Sequence, residues 1–203
     1  MRLPRVAIDL NSVNAIRIVE MKTNRREDAL PSNYEDEPWL WAKPNSQEDV
    51  TARSSEYILE SMRMEGSEGV IAKETRDGLS EERFPLSEES IDEMARKADV
   101  LIGKWLVFRD RSEVDGIWKE IVAETKKGSL GTEAKVSTLF QRKKQHVICI
   151  YTNDYLNSED VFRVRKALRR LGLTDVLYYK PDIYTYLGIY SGTCSIRPWK
   201  YKD

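Results

Sequence analysis

The run of residues 146–152, HVICIYT, limits the possible folds more than any other feature of this chain. It is short and almost continuously apolar, which predicts a strand in the middle of a sheet. Residues 112–127 and 158–171 lie on either side, and each begins at a serine, carries an apolar stripe and ends at a glycine, as amphipathic helices do. This order predicts an α+β fold, with helices packed on one face of a mostly antiparallel sheet.

Other segments extend this pattern. Ser87 begins a predicted helix that ends near residue 97, with glutamates in its first turn and basic residues in its last, as the helix dipole favours. In the segment WLWAKP, an extended chain places Trp39 and Trp41 on the same side. Further strands are predicted at residues 70–74, 103–109 and 134–138, and a further helix at 47–64.

The domain prediction divides the chain near residue 36. Residues 1–35 are an N-terminal extension, or a small hairpin followed by a polar linker. Residues 36–203 are predicted to form a single α+β domain, because the strand and helix patterns continue through this region and its length suffices for one substantial core.

The segment 178–190, YYKPDIYTYLGIY, contains half of the chain's ten tyrosines. We predict two strands joined by a tight turn at Pro181 and Asp182, which is a hairpin with Tyr184 and Tyr186 on one face of its second strand. A tyrosine ring favours apolar contact at one end and a hydrogen bond at the other. Such a face is either half-buried or receives a flat or phosphorylated ligand.

The charge of the chain is unevenly distributed. The net charge is −1, but carboxylates are in excess in the first half and lysine and arginine in the second. A basic second half can attract partners that carry phosphate. Alternatively, the two halves pair with each other on one surface.

The cysteine and histidine content argues against a metal site. The chain has two cysteines and one histidine, far apart in sequence, so no zinc-binding spacing is present and no metal or cofactor is expected. Reduced, buried thiols are typical of a cytoplasmic protein, which is the predicted location. No apolar run is long enough for a membrane span, and Asp9 interrupts the N-terminal apolar stretch that a secretory signal requires.

Several blocks of the chain resemble a known family in order and content. The blocks are PWLW, GKWLVF, AKVST, HVICIYTNDY and YYKPDIYTYLGIY. They are similar to successive blocks of the basophilic-leukaemia-expressed protein family, mainly over residues 100–190 and less closely over 36–100. The resemblance implies a fold like that of translation initiation factor 4E, the cap-binding factor, with a curved antiparallel sheet backed by helices. Some relatives are labelled as phosphothreonine lyase domains, and both comparisons concern ligands that carry phosphate.

Lys104, Lys135 and Lys180 each lie in or at the end of a predicted strand. Strand interiors avoid lysine unless its ammonium group reaches solvent or a partner. If the three strands are neighbours, the ammonium groups converge on one anionic site, where lysine binds phosphate as a compact charge. Alternatively, each lysine reaches a different edge of the sheet.

Other side chains are candidates for the same ligand-binding site. Ser137 shares the face of Lys135, where it either hydrogen-bonds a phosphate oxygen or is an ordinary solvated serine. Tyr184 and Tyr186 either stack against a ligand ring or pack across the sheet. Arg109 is a further cation for phosphate. Trp39 and Trp41 are better ligand candidates than Trp105 and Trp118, which are predicted core residues, but no motif places a carboxylate to recognise a cap base.

Three functions remain open. The first is a binding module for a phosphate-bearing ligand, RNA or a nucleotide. The second is a lyase acting on phosphothreonine or phosphoserine, with Lys135 as the base if burial lowers its pKa. His146 is a possible acid, but a surface position is expected for it. The third is a protein–protein adaptor. The basic helix at 158–171 either follows a nucleic-acid backbone or is a solvated face.

Overall fold

The computed structural model describes residues 29–45, 87–141, 143–192 and 195–203. In these residues six strands form one antiparallel sheet with four α-helices, which confirms the predicted α+β class. The elements are β1 (Trp39–Ala42), α1 (Glu88–Lys97), β2 (Gly103–Asp110), α2 (Arg111–Lys126), β3 (Glu133–Ser137), a 3-10 turn (Leu139–Gln141), β4 (Gln145–Thr152), α3 (Ser158–Arg170), β5 (Tyr178–Pro181), α4 (Asp182–Tyr186) and β6 (Tyr201–Lys202).

Some predictions lie outside the described residues. They are the helix at 47–64, the strand at 70–74 and most of the N-terminal hairpin and linker. The division of domains near residue 36 therefore stays a prediction. No helix in the described part of the chain combines the length and the apolar character needed to cross a membrane.

The sheet order is β1-β3-β4-β2-β5-β6, so β4 and β2 lie at its centre, as predicted for residues 146–152. Residues directly opposite each other in an antiparallel pair point to the same face. Trp105 is opposite Ile150 on one side and Tyr179 on the other, and all three are buried. Trp105 also donates its indole N–H to the Val161 carbonyl of α3, at 2.9 Å. This face, against which the helices pack, is the core face.

The alternate residues of each strand lie on the opposite face, which we call the lysine face. Trp39 and Trp41 share it, as predicted, because they are opposite Ser137 and Lys135. The side chains on this face include Trp39, Trp41, Glu133, Lys135, Ser137, Val147, Cys149, Tyr151, Lys104, Leu106, Phe108, Tyr178, Lys180 and Lys202. The strand lysines therefore lie on the side of the sheet opposite Trp105 and α3.

Two arginines of the basic helix α3 bind other parts of the chain. Arg165 is almost completely buried and donates hydrogen bonds of 2.7 Å to the carbonyls of Leu173 and Asp175. It also donates to the Asp203 carbonyl, at 3.1 and 3.2 Å. Arg169 forms an ion pair with the Asp203 carboxylate. These bonds attach the chain after α3 and the chain after β6 to one helix.

The predicted hairpin at 178–190 is wrong. Pro181 ends β5, and residues after it form α4, which Gly188 ends with a φ of 66°. The partner of β5 on its outer side is β6 instead, with Tyr178 opposite Lys202. Alternating tyrosines suit a strand, but a segment this short also fits one helical turn, and the proline and the glycine favour the helix.

We expect Gly103→Ala to destabilise the fold, because a Cβ at this position would lie 2.4 Å from the hydroxyl of the buried Tyr179. The expected loss in free energy of unfolding is about 1–3 kcal/mol, as for other overpacked cores, measured by urea denaturation. Gly116→Ala is the matched control, since a Cβ there meets nothing within 4 Å in the middle of α2. That variant should gain roughly 0.5–1 kcal/mol. Equal effects of the two substitutions would contradict the packing argument.

Candidate functional site

The three strand lysines lie close together on the lysine face, two of them beside Tyr151 and the third next to Lys104. Lys104 is opposite Tyr151 on β4 and opposite Lys180 on β5. The ammonium nitrogens of Lys104 and Lys135 each lie 5.4 Å from the centre of the Tyr151 ring, so they are separated by at most twice that distance. The geometry thus brings together the residues whose convergence the sequence left open. We call Lys104, Lys135, Lys180 and Tyr151 the lysine cluster.

Lys135 lies within an aromatic cage. Its ammonium nitrogen is 4.5 Å from the ring centre of Trp39 and 4.9 Å from that of Trp41, in addition to its contact with Tyr151. Cation–π attraction offsets part of the cost of removing the charge from water. Burial lowers the pKa of Lys135, and the positive charge of Lys104 lowers it further. No described carboxylate lies within ion-pair distance of this ammonium group.

Lys104 has a carboxylate partner, Asp182, at 2.5 Å. Both side chains are recessed, with 13% and 21% of their surfaces exposed. Asp182 is the first residue of α4, so the helix that replaces the predicted strand brings a negative charge to the lysines. Its charge also favours the protonated forms of Lys135 and Lys180 and opposes the lowering of each pKa. Asp182 therefore acts electrostatically on the whole cluster.

Lys180 is held by the chain that follows α4. Its ammonium group donates a 2.8 Å hydrogen bond to the Ile189 carbonyl and lies 3.8 Å from the centre of the Tyr190 ring. Burial, with a smaller contribution from the charge of Lys104, lowers the pKa of Lys180 to about 8. Residues 189–190 thus close one end of the cluster.

The two tyrosines of α4 have different positions. Tyr186 follows Asp182 by four residues, on the same side of the helix, and burial raises its pKa to about 12 with help from the Asp182 charge. Tyr184 is fully buried in the core, and burial raises its pKa further, with contributions from Glu88 and Asp92. The predicted shared strand face of Tyr184 and Tyr186 is therefore wrong, because the helix directs the two rings differently.

Ser137 and Arg109 already have protein partners. Ser137 is buried on the lysine face, where its hydroxyl accepts a 2.9 Å hydrogen bond from the Val147 amide. Arg109 lies on the other face, and its guanidinium donates to both oxygens of Asp175, at 2.7 and 3.1 Å. The structure thus separates Arg109 from the lysine cluster.

The surface position expected for His146 is wrong. The imidazole is buried on the core face, and its Nδ1 donates to the Ser137 carbonyl at 2.7 Å. A histidine at the end of a strand beside a basic loop resembles a surface residue in sequence. Its orientation depends on the register of β4, which directs His146 and Ile148 to the same side.

Sequence reasoning missed Asp182 and Tyr151. Tyr151 lies in an apolar predicted strand. It is two residues from Cys149, and this spacing places both side chains on the same face of the sheet. Asp182 falls in a predicted turn, and nothing in the local sequence indicates an ion pair with Lys104, 78 residues away. Long-range pairing of this kind requires knowledge of which strands are neighbours.

Comparison with protein families identifies the chain. The family model of the basophilic leukemia-expressed protein Bles03 matches residues 48–188. The chain belongs to this family, as its sequence blocks implied. The matched range includes the whole lysine cluster and Asp182 but excludes the cage residues Trp39 and Trp41.

Solved structures of initiation factor 4E are similar to this chain at low identity. A complex of Ascaris suum eIF4E-3 with the m2,2,7G cap is 17% identical, with a TM-score of 0.40, and the match covers 81% of this chain and 93% of that one. C. elegans eIF4E-3 with the 4E-binding protein Mextli and a cap analog is 17% identical, with a TM-score of 0.39, 73% of this chain and 90% of that one being covered.

A schistosome eIF4E complexed with m7GpppA and 4E-BP is 20% identical, with a TM-score of 0.40. That match covers 50% of this chain and only 58% of the schistosome protein. The initiation factor that the family resemblance implied is therefore found among the similar structures. Similarity at this level carries no conclusion about what the present chain binds.

The lowered pKa of Lys180 predicts a pH-dependent stability. Free lysine has a pKa of about 10.4, so between pH 8 and that value the unfolded state binds more protons than the folded state. The free energy of unfolding should rise with pH in this window relative to Lys180→Met, in urea denaturation at pH 7, 8.5 and 10. The exposed Lys97 provides the control variant Lys97→Met. A difference between wild type and Lys180→Met that is independent of pH would contradict the assignment.

Proposed function

We propose that the lysine cluster binds the phosphate group of an RNA or nucleotide ligand. The observation that carries this proposal is the position of two ammonium groups, those of Lys104 and Lys135, beside Tyr151, with Lys180 opposite Lys104. Two described carboxylates lie near them: Asp182, which pairs with Lys104, and Glu133, which is opposite Tyr151. A buried charge is costly unless it is paired, and a bound anion would supply the pairing.

The lowered pKa values of Lys135 and Lys180 support this proposal. In each case burial is the main cause and the neighbouring Lys104 is a further cause, so the cluster holds its charges at a cost in free energy. An anion that approaches these lysines lowers that cost and raises both pKa values. Lysine suits this role because its ammonium group binds phosphate oxygens as a point charge.

The aromatic side chains support a ligand that also contains a ring. Trp41 and Tyr151 are stacked at 6.3 Å with an interplanar angle of 16°, and Trp39 completes the cage at Lys135. Tyr151 is buried, so the partly exposed rings of Trp39 and Trp41 are the ones that a base can reach. Nucleobases stack on such rings with little dependence on sequence. Phosphate and base together favour a nucleotide or RNA over an inorganic anion. The cytoplasmic location suggested by cysteine usage belongs to the same proposal.

The lyase hypothesis has one observation in its favour, the lowered pKa of Lys135, which suits a general base. Elimination also requires an acid for the leaving oxygen, and His146 lies on the opposite face of the sheet. Incubation with phosphothreonine and phosphoserine peptides tests this alternative, because a lyase would produce a dehydrated residue detectable by mass. The adaptor hypothesis stays a prediction without a specific contact to support it.

We expect Lys135→Met and Lys180→Met each to weaken binding of a fluorescent AMP analogue by about tenfold, since each removes one cation beside the phosphate. Fluorescence anisotropy at 50 and 200 mM salt measures the effect, and the salt dependence should decrease in both variants. Lys97→Met, whose ion pair with Glu93 is exposed, is the control. Unchanged affinity in both cluster variants, or no binding by wild type at low salt, would reject the proposal.

A substitution that removes a negative charge, and should therefore strengthen binding, provides a sharper test. Asp182→Asn removes the carboxylate that neutralises Lys104, so we expect tighter binding of the AMP analogue at low salt. The control is the same substitution at Asp175, whose ion-pair partner Arg109 lies outside the cluster. Asp175→Asn should leave the affinity for the AMP analogue unchanged. Weaker binding by Asp182→Asn, with the circular dichroism spectrum unaltered, would indicate that Asp182 contacts the ligand rather than competing with it.

A further inference from the structure

One row of side chains crosses the whole lysine face. The register places Trp41, Lys135, Cys149, Leu106, Tyr178 and Lys202 side by side on β1, β3, β4, β2, β5 and β6. Aromatic and cationic side chains lie at both ends of the row, and apolar ones lie between them. Since neighbouring strands are about 4.8 Å apart, Lys135 and Lys202 are separated by about 19 Å. This span is too long for the phosphate of one nucleotide to contact both.

The far end of the row is a second group of rings and cations. Tyr178 and Trp199 have ring centres 5.6 Å apart, at an interplanar angle of 51°. The Lys202 ammonium nitrogen lies 5.5 Å from the centre of the Tyr178 ring. The Arg197 guanidinium lies 4.7 Å from the ring centre of Trp199 and forms an ion pair of 2.9 Å with Glu88. We call Tyr178, Trp199, Lys202 and Arg197 the edge cluster. Lys202 is exposed, and no described carboxylate is within ion-pair distance of it.

Two exposed rings lie beside the row. Phe108 is 48% exposed and projects from β2 on the lysine face, two residues beyond Leu106 of the row. Tyr190 is 49% exposed and covers Lys180, which is the neighbour of Tyr178 along β5. Large apolar side chains exposed beside cations are the features on which successive bases of a single strand stack.

We propose that the lysine face binds single-stranded nucleic acid along this row. One phosphate lies at the lysine cluster, a second lies near Lys202, and a base stacks on the ring of Tyr178. The inference rests on the proposed function and commits it to a strand rather than a free nucleotide. The recessed positions of Lys104 and Lys180 favour a single strand, because a rigid double helix cannot enter to their depth.

The test compares ligands of different length on the same variants. Fluorescence anisotropy is measured with labelled six-nucleotide single strands of RNA and of DNA, the matching RNA duplex, and the fluorescent AMP analogue. We expect the single strands to bind at least tenfold more tightly than the AMP analogue or the duplex, and the RNA and DNA arms to show which sugar is preferred. The double variant Tyr178→Leu with Lys202→Ala keeps apolar bulk on β5 and removes a ring and a charge.

This double variant should lose about tenfold in affinity for the hexamers and keep its affinity for the AMP analogue, whereas Lys135→Met should weaken both. Lys97→Ala is the control for a change in surface charge. Hexamer affinity equal to that of the AMP analogue, or unaltered in the double variant, would overturn the inference and leave binding at the lysine cluster intact. Equal affinity for the duplex would also overturn it. Failure of every ligand to bind at low salt would reject the inference together with the proposed function.

Discussion

The register of β2 between β4 and β5 is the constraint on which the rest of this structure depends. It sets Trp105 between Ile150 and Tyr179 on the core face and, one residue earlier, Lys104 between Tyr151 and Lys180 on the lysine face. A shift by one residue would exchange the faces, bury the lysines beneath the helices and expose Trp105. The same strand pairing thus forms the core and brings Lys104 and Lys180 together.

Several different contacts, rather than an ion pair for every lysine, stabilise the charged lysines of the lysine face. Lys104 has Asp182, Lys135 has three aromatic rings, and Lys180 has the Ile189 carbonyl with the ring of Tyr190. Each contact offsets part of the loss of hydration, and burial still lowers the pKa of Lys135 and Lys180. A site of this kind gains from an anion, which is the physical basis of the function proposed here.

The local density of basic residues is a poor guide to function in this chain. Helix α3 contains the densest basic sequence, yet Arg165 is buried among backbone carbonyls and Arg169 pairs with Asp203. The lysines of the cluster are isolated in sequence, and each would pass as an ordinary strand residue. A guanidinium with five donors suits the joining of several loop carbonyls, whereas a single ammonium group suits a recessed anion site.

The sequence by itself determined the α+β class, the central position of residues 146–152, the helices that begin near Ser87 and Ser158, and the shared side of Trp39 and Trp41, because hydrophobic period and capping are local properties. It also identified the three lysines as a group worth testing. Only the tertiary structure decided that they meet, that residues after Pro181 form a helix carrying Asp182, and that Arg109 and His146 face away. These outcomes depend on strand order and register, which arise from contacts between residues far apart in the chain.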